Sequence, residues 1–326
     1  MRTWTASLVV VGLMFGLGQS TAQEKNIPEK AIKKITQALP DTAPAKPAKP
    51  RKLLVFTLAT GYKHESIPIA AKAFEMMGAK TGAYDTVITS DPSYFEEEKL
   101  KEFDAVLMIS TTGEGFGLPK PGDFAKLPPE KQAYHERLRK NLLEFVGRGK
   151  GLMGIHAAGD SCYEWREYGK LIGGYFLSHP YYDITVKLDD PTSPINAAFK
   201  GKGFKFHDEM YVFREEPNSR RYKELPEPYS RDRLHILLSI DVPNSKIKPG
   251  PLTAEEKKAG WKESLRKDDD YAISWIQQVG SGRVFYCSFG HFDETYYNPM
   301  IMQHYLAGLQ YALGDLKADA MPSNKK

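Results

Sequence analysis

The chain predicts an α/β fold in which a mostly parallel sheet carries helices on both faces and the second half is strand-rich. Three observations carry this expectation. Short apolar runs without polar alternation recur between segments of helical spacing, the pattern of strands buried on both faces and joined by crossover helices. The fourth run ends abruptly in Gly151-Leu152-Met153-Gly154-Ile155-His156-Ala157-Ala158-Gly159-Asp160-Ser161, a strand entering a turn of small residues. Histidines stand just beyond the first, fourth and last strands, where a parallel sheet collects its functional groups.

In order, Lys52 to Thr57 reads as the first strand and Ile67 to Met77 as a helix, for which Ser66 is a natural N-cap. Tyr84 to Thr89 is a strand, Ser93 to Leu100 a short acidic helix, and Ala105 to Ser110 a buried strand. Pro128 to Gly147 is amphipathic, with Leu138, Leu142, Phe145 and Val146 on one side and Gly147 suited to the C-cap. Gly151 to Ile155 is the fourth strand. Thereafter Ile184 to Leu188, Phe204 to Phe213, Leu234 to Ile240, Ala272 to Gln277 and Arg283 to Ser288 have strand character, and Met300 to Leu313 closes as a helix.

The termini differ in composition. Met1-Arg2, the apolar run Ala6 to Leu17 and Ser20-Thr21-Ala22 form a secretory leader over residues 1–22, shorter than the ~20 apolar residues that a membrane span needs. No second apolar stretch approaches that length, so the expected protein is exported, periplasmic or secreted, with no membrane span after cleavage. Residues 23–50 are rich in Pro, Lys and Ala and read as an extended spacer, with a short helix allowed within Pro28 to Leu39. Residues 51–315 make one domain, and residues 316–326 read as a solvated tail.

Composition excludes several classes. The chain is 41% hydrophobic, 12% aromatic and carries a formal charge of +4, with basic residues interleaved among acids. No basic stripe marks it for nucleic acid. Two cysteines, Cys162 and Cys287, are too few for a disulfide scaffold; they either pair or are small buried residues.

The segments Thr60-Gly61-Tyr62-Lys63-His64-Glu65-Ser66, Gly154-Ile155-His156-Ala157-Ala158-Gly159-Asp160, Asp208-Glu209-Met210-Tyr211 and Gly290-His291-Phe292 together resemble the ThuA family, the trehalose-utilisation-like proteins. The resemblance implies a flavodoxin-like sheet of the class I glutamine amidotransferase type. Those enzymes have Gly-x-Cys-x-Gly at the turn, where this chain has Gly154-Ile155-His156-Ala157-Ala158; His291 resembles the position of their catalytic histidine. Without a thiol at the apex, glutamine hydrolysis is not expected. Cys162, six residues on and read into the following helix, is a poor substitute nucleophile.

Imidazole serves as general acid, general base or metal ligand near neutral pH. The expected catalytic residues are His156, with His291 and Glu209 as its partners. Tyr62, His64, Asp160, His179 and Tyr211 are read as substrate-binding, Asp160 also being a candidate N-cap for the helix after the turn. His207 and Glu209, two apart on a strand, share a face. A mixed aromatic and polar rim (Tyr62, Tyr163, Trp165, Tyr175, Phe176, Tyr181, Phe292, Tyr296, Tyr297) suits a sugar ring, unless those rings are core packing. The partner expected is therefore a small carbohydrate, a glycoside or keto-sugar. Three readings stand: a His/Glu acid–base enzyme (hydrolase, lyase or isomerase), a non-catalytic sugar-binding module, or a hydrolase using a divalent metal held by His156, His291 and a carboxylate.

Overall fold

β1 (Lys52–Phe56), β3 (Ala105–Ile109) and β4 (Gly151–Ile155) form because their apolar side chains are buried on both faces of a sheet. The computed structural model describes residues 27–118, 120–213, 229–245, 266 and 268–325, so the expected leader at 1–22 lies outside it. Among the described residues the sheet has nine strands in the order β2-β1-β3-β4-β9-β8-β7-β5-β6, completed by β2 (Asp85–Thr89), β5 (Phe176–Leu188), β6 (Phe204–Phe213), β7 (His235–Ile240), β8 (Ala272–Val279) and β9 (Gly282–Cys287). β2, β1, β3, β4 and β9 pair in parallel; β9, β8, β7, β5 and β6 pair antiparallel.

The sheet is therefore mixed, and the expectation of a mostly parallel sheet holds only for its first half. Parallel neighbours need long crossovers, which the βα units supply up to β4. β8 and β9, by contrast, are joined by the tight Gly280-Ser281 turn and pair antiparallel.

Helices cover both faces. α1 (Glu29–Ala38), α2 (Ile67–Thr81) and the last helix, α6 (Pro299–Leu313), pack with Leu53, Val55, Leu107 and Met153. α3 (Glu97–Leu100), α4 (Pro129–Gly147) and α5 (Arg166–Ile172) pack with Leu54, Phe56, Val106 and Leu152. Successive strand residues thus feed opposite cores, as the pleat dictates. No helix among the described residues is long and apolar enough to cross a membrane.

Several local expectations change. Ser66 does not cap α2; its hydroxyl donates to the Gly290 carbonyl at 2.8 Å and ties α2 to the loop after β9. α4 ends through Gly149, with φ +110°, rather than Gly147. Cys162 lies before α5, not within it, and both cysteines are free and buried.

The segment read as a spacer is docked. α1 buries Ala31, Ile35 and Ala38 at helical spacing against the core. Beyond it, Ala45 exchanges backbone hydrogen bonds with the Gln310 amide at 2.9 and 2.6 Å, and the Arg51 guanidinium grips Asp315. The tail is half-exposed but also tied down: the Ile236 N–H donates to the Ser323 hydroxyl at 2.9 Å, and the His235 ring bonds the Met321 carbonyl at 2.7 Å.

Candidate functional site

Gly154 lets β4 run close under α5 and β9, because a Cβ there would meet Ile172 at 2.5 Å and Tyr286 at 3.0 Å. The strand ends at Ile155, and His156 opens a single 3-10 turn with φ +49°, a left-handed conformation costly for a residue with a side chain. Tyr286 donates its hydroxyl to the His156 carbonyl and Tyr168 donates to the Ala158 carbonyl, each at 2.7 Å, which holds the turn. The His156 ring is buried, and its Nδ1–H donates to the Ser288 carbonyl at 2.7 Å. Its Nε2 consequently faces the cleft.

Glu209 receives it. Although β6 is last in the sheet order, Glu209 Oε2 lies 3.3 Å from His156 Nε2 and 3.1 Å from His291 Nδ1, and Oε1 lies 3.1 Å from His179 Nδ1. His291 Nδ1 is also 3.3 Å from His156 Nε2. His64 closes the group, its ring 4.7 Å from that of His156 and 5.1 Å from that of His291. Tyr211 lies against the His156 ring at 4.4 Å, and the exposed Tyr62 stands edge-on to His64 at 4.8 Å. His156, His64 and Tyr211 form the buried floor; His179, with 47% of its side chain exposed, and Tyr62 form the open rim.

The charges follow from this packing. Burial pushes the Glu209 carboxyl up, but hydrogen bonds from His156 and His291 outweigh it and hold the group well below the usual carboxylate range. Burial pulls His291 down, yet the hydrogen bond and charge of Glu209 prevail and raise it. Burial, reinforced by His156 and His291, lowers His64 to about 3, so its ring is neutral. One ligand atom from each of His64, His156, Glu209 and His291 lies within 4.8 Å of the others, a set able to hold a metal ion.

Of the residues expected at the site, His156, His291, Glu209, His64, His179, Tyr62 and Tyr211 converge. Asp160 sits at their edge, accepting the Tyr163 hydroxyl; it caps the turn's C-terminal end rather than starting α5. His207 does not join, since it is exposed and bonds Asp183 at 2.8 Å. The aromatic rim is smaller than expected, for Trp165, Tyr175 and Tyr296 are buried in the core; the Tyr181 side chain lies outside the described part.

Asp208 was the residue missed. Its carboxylate accepts the Gly290 N–H at 2.7 Å, the His291 N–H at 3.1 Å and the Thr295 hydroxyl at 2.6 Å, and so fixes the loop that presents His291. Alternation along β6 would turn Asp208 away from Glu209's side. A bulge intervenes: from the pair Tyr181–Met210 to the pair Asp183–His207, two steps on β5 match three on β6. The Asp-Glu dipeptide was the only signal in the sequence.

A family model described as ThuA, trehalose utilisation, matches residues 52–312. Among solved structures, a ThuA-like protein from Bacteroides uniformis aligns with TM-score 0.56 and 20% identity over 82% of this chain and 94% of that one. A second, from Parabacteroides merdae, aligns with TM-score 0.49 and 12% identity over 83% and 93%. No curated protein gives a significant match.

Proposed function

The chain belongs to the ThuA family of trehalose utilisation, and from that premise we propose that it is an exported carbohydrate-processing enzyme acting on a glycoside or keto-sugar by His/Glu acid–base chemistry. The observation that carries the reading is one buried carboxylate, Glu209, meeting the imidazoles of His156, His291 and His179 within 3.3 Å. A sugar-binding module would need no such set, and an apolar surround would suit His156 better there. Instead His156 is oriented by the Ser288 carbonyl through Nδ1 and offers Nε2 to the cleft.

The roles follow from the position of each group. His156, acting in its neutral form, takes a proton at Nε2, either from a carbon made acidic by a neighbouring ketone or from water. Glu209, held ionised, stabilises the imidazolium that results. His291, raised by the same carboxylate, holds a proton nearer neutral pH and returns it to the departing or rearranging oxygen. Tyr62 and His179 at the rim offer a ring face and a hydrogen-bonding edge to the sugar.

The parallel order β2-β1-β3-β4-β9 supports the flavodoxin-like reading, and the positive φ of His156 supports the likeness to an amidotransferase elbow. With histidine at that apex the chemistry differs from thioester formation.

The test is a proton NMR time course of the mature protein with disaccharides and their 3-keto forms, beside His156→Ala. Turnover by the parent and a loss of at least about 100-fold in the variant, within the range of general acid–base catalysis, is expected. Equal turnover by a folded variant removes His156 from the chemistry, and saturable shifts without turnover favour the binding module.

A further inference from the structure

We propose that His64, His156, Glu209 and His291 form a binding site for one divalent transition-metal ion of the zinc type. The inference rests on reading this cluster as the working site; in the ion-bound form His156 Nε2 and His291 Nδ1 are ligands, so the acid–base steps proposed above belong to the ion-free form. Its first support is geometric. His156 Nε2, His291 Nδ1 and Glu209 Oε2 form a triangle with sides of 3.3, 3.1 and 3.3 Å. Donor atoms about 2.0–2.1 Å from one ion at tetrahedral angles lie roughly 3.3 Å apart, so the triangle has the edge length of a coordination shell.

The second support is orientation. With Nδ1–H committed to the Ser288 carbonyl, His156 turns Nε2 toward the same point that Glu209 Oε2 faces.

Two further observations favour the ion. His64 is only 4% exposed, and its Nδ1 is buried without a hydrogen-bond partner, a state that costs about 1–3 kcal/mol. The His64 ring supplies a fourth donor atom within 4.8 Å of the other three. The surround also has the anatomy of a metal site. His156 gives its other ring N–H to a backbone carbonyl, and Asp208 holds the backbone of His291.

The donor set selects among ions. Three imidazoles and one carboxylate suit Zn2+, Co2+ or Fe2+ and disfavour Mg2+ and Ca2+, which prefer all-oxygen shells. Such an ion would give the site an electrophile for a sugar carbonyl or hydroxyl oxygen.

The experiment uses the mature protein stripped with a chelator and titrated with Co2+ and Zn2+. Binding is followed by calorimetry and by the visible absorption of Co2+ in a low-coordinate site. The expected result is one ion per chain, with affinity reduced at least about tenfold in both Glu209→Gln and His291→Ala. His207→Ala, which alters an exposed histidine paired with Asp183, keeps the parent affinity. Circular dichroism checks each variant, and His64→Gln replaces any that fails to fold. Absence of stoichiometric binding by the parent, or undiminished binding by folded variants, overturns the proposal. The two readings separate cleanly: sugar turnover by metal-free protein, unchanged by added ion, ends the metal site alone. Stoichiometric metal binding without turnover of any sugar ends the carbohydrate chemistry alone.

Discussion

Asp208 and His291 are joined through the main chain: an Asp208 carboxylate oxygen accepts the His291 N–H at 3.1 Å, while the neighbouring Glu209 takes the His291 ring at 3.1 Å. Adjacent carboxylates thus fix the backbone and the side chain of one histidine. The bulge in β6 makes this feasible by bringing both acids to the interior.

Asp208→Asn replaces one acceptor oxygen by an amide donor that faces N–H groups. The loss of a buried charge-assisted hydrogen bond is expected to cost about 1–3 kcal/mol. For a domain of this size each kcal/mol lowers Tm by roughly 2–4 °C. Thermal denaturation checks the fall, and an unchanged Tm would show that the loop holds His291 without the carboxylate.

Ile35 distinguishes a docked α1 from a free spacer. It is fully buried in the core, so Ile35→Ala is expected to destabilise by about 2–5 kcal/mol. Urea unfolding measures this. A change below about 0.5 kcal/mol, the range of ordinary surface substitutions, would mean that the helix is not part of the cooperative fold.

His304 gives the fold a pH dependence remote from the site. Burial lowers its pKa from 6.5 to about 4; Nδ1–H donates to the Ile195 carbonyl and Nε2 accepts from the Ser274 hydroxyl. Because the folded pKa is depressed, the unfolded chain binds more protons between those values. The stabilisation is therefore full above pH 6.5 and is lost as pH falls toward about 4, by on the order of 3 kcal/mol. The stability difference between the parent and His304→Gln should shrink with acidification across that window. A difference that stays constant with pH would show that His304 does not titrate on unfolding.

The two thiols should be inert. Burial pushes the Cys162 thiol up to about 12 and raises that of Cys287 as well. Neither is expected to react with a thiol reagent in the native protein, and both should react after denaturation without reductant. Rapid native labelling of either, or no labelling after unfolding, would contradict the buried free state.

The sequence by itself determined the parallel half of the sheet and the turn at His156, because these are written in local patterns. Apolar runs without alternation mark doubly covered strands, and Gly154 before His156, with Ala158 after it, marks a close-packed turn. His64, His156 and His291 were legible as one group because parallel strands deliver their carboxyl ends to one edge. Glu209 was readable as a partner of His156, but only tertiary structure decided how β6, last in the sheet order, reaches it, and that Asp208 turns inward beside it. Those placements depend on the pairing of β5 with β6 and on its one-residue slip, and alternation along β6 alone carries no trace of that slip. The docking of α1 and the tail was likewise hidden. Proline-rich composition describes the chain's stiffness, whereas the grip of Gln310 and Asp315 on Ala45 and Arg51 comes from residues more than 250 positions away.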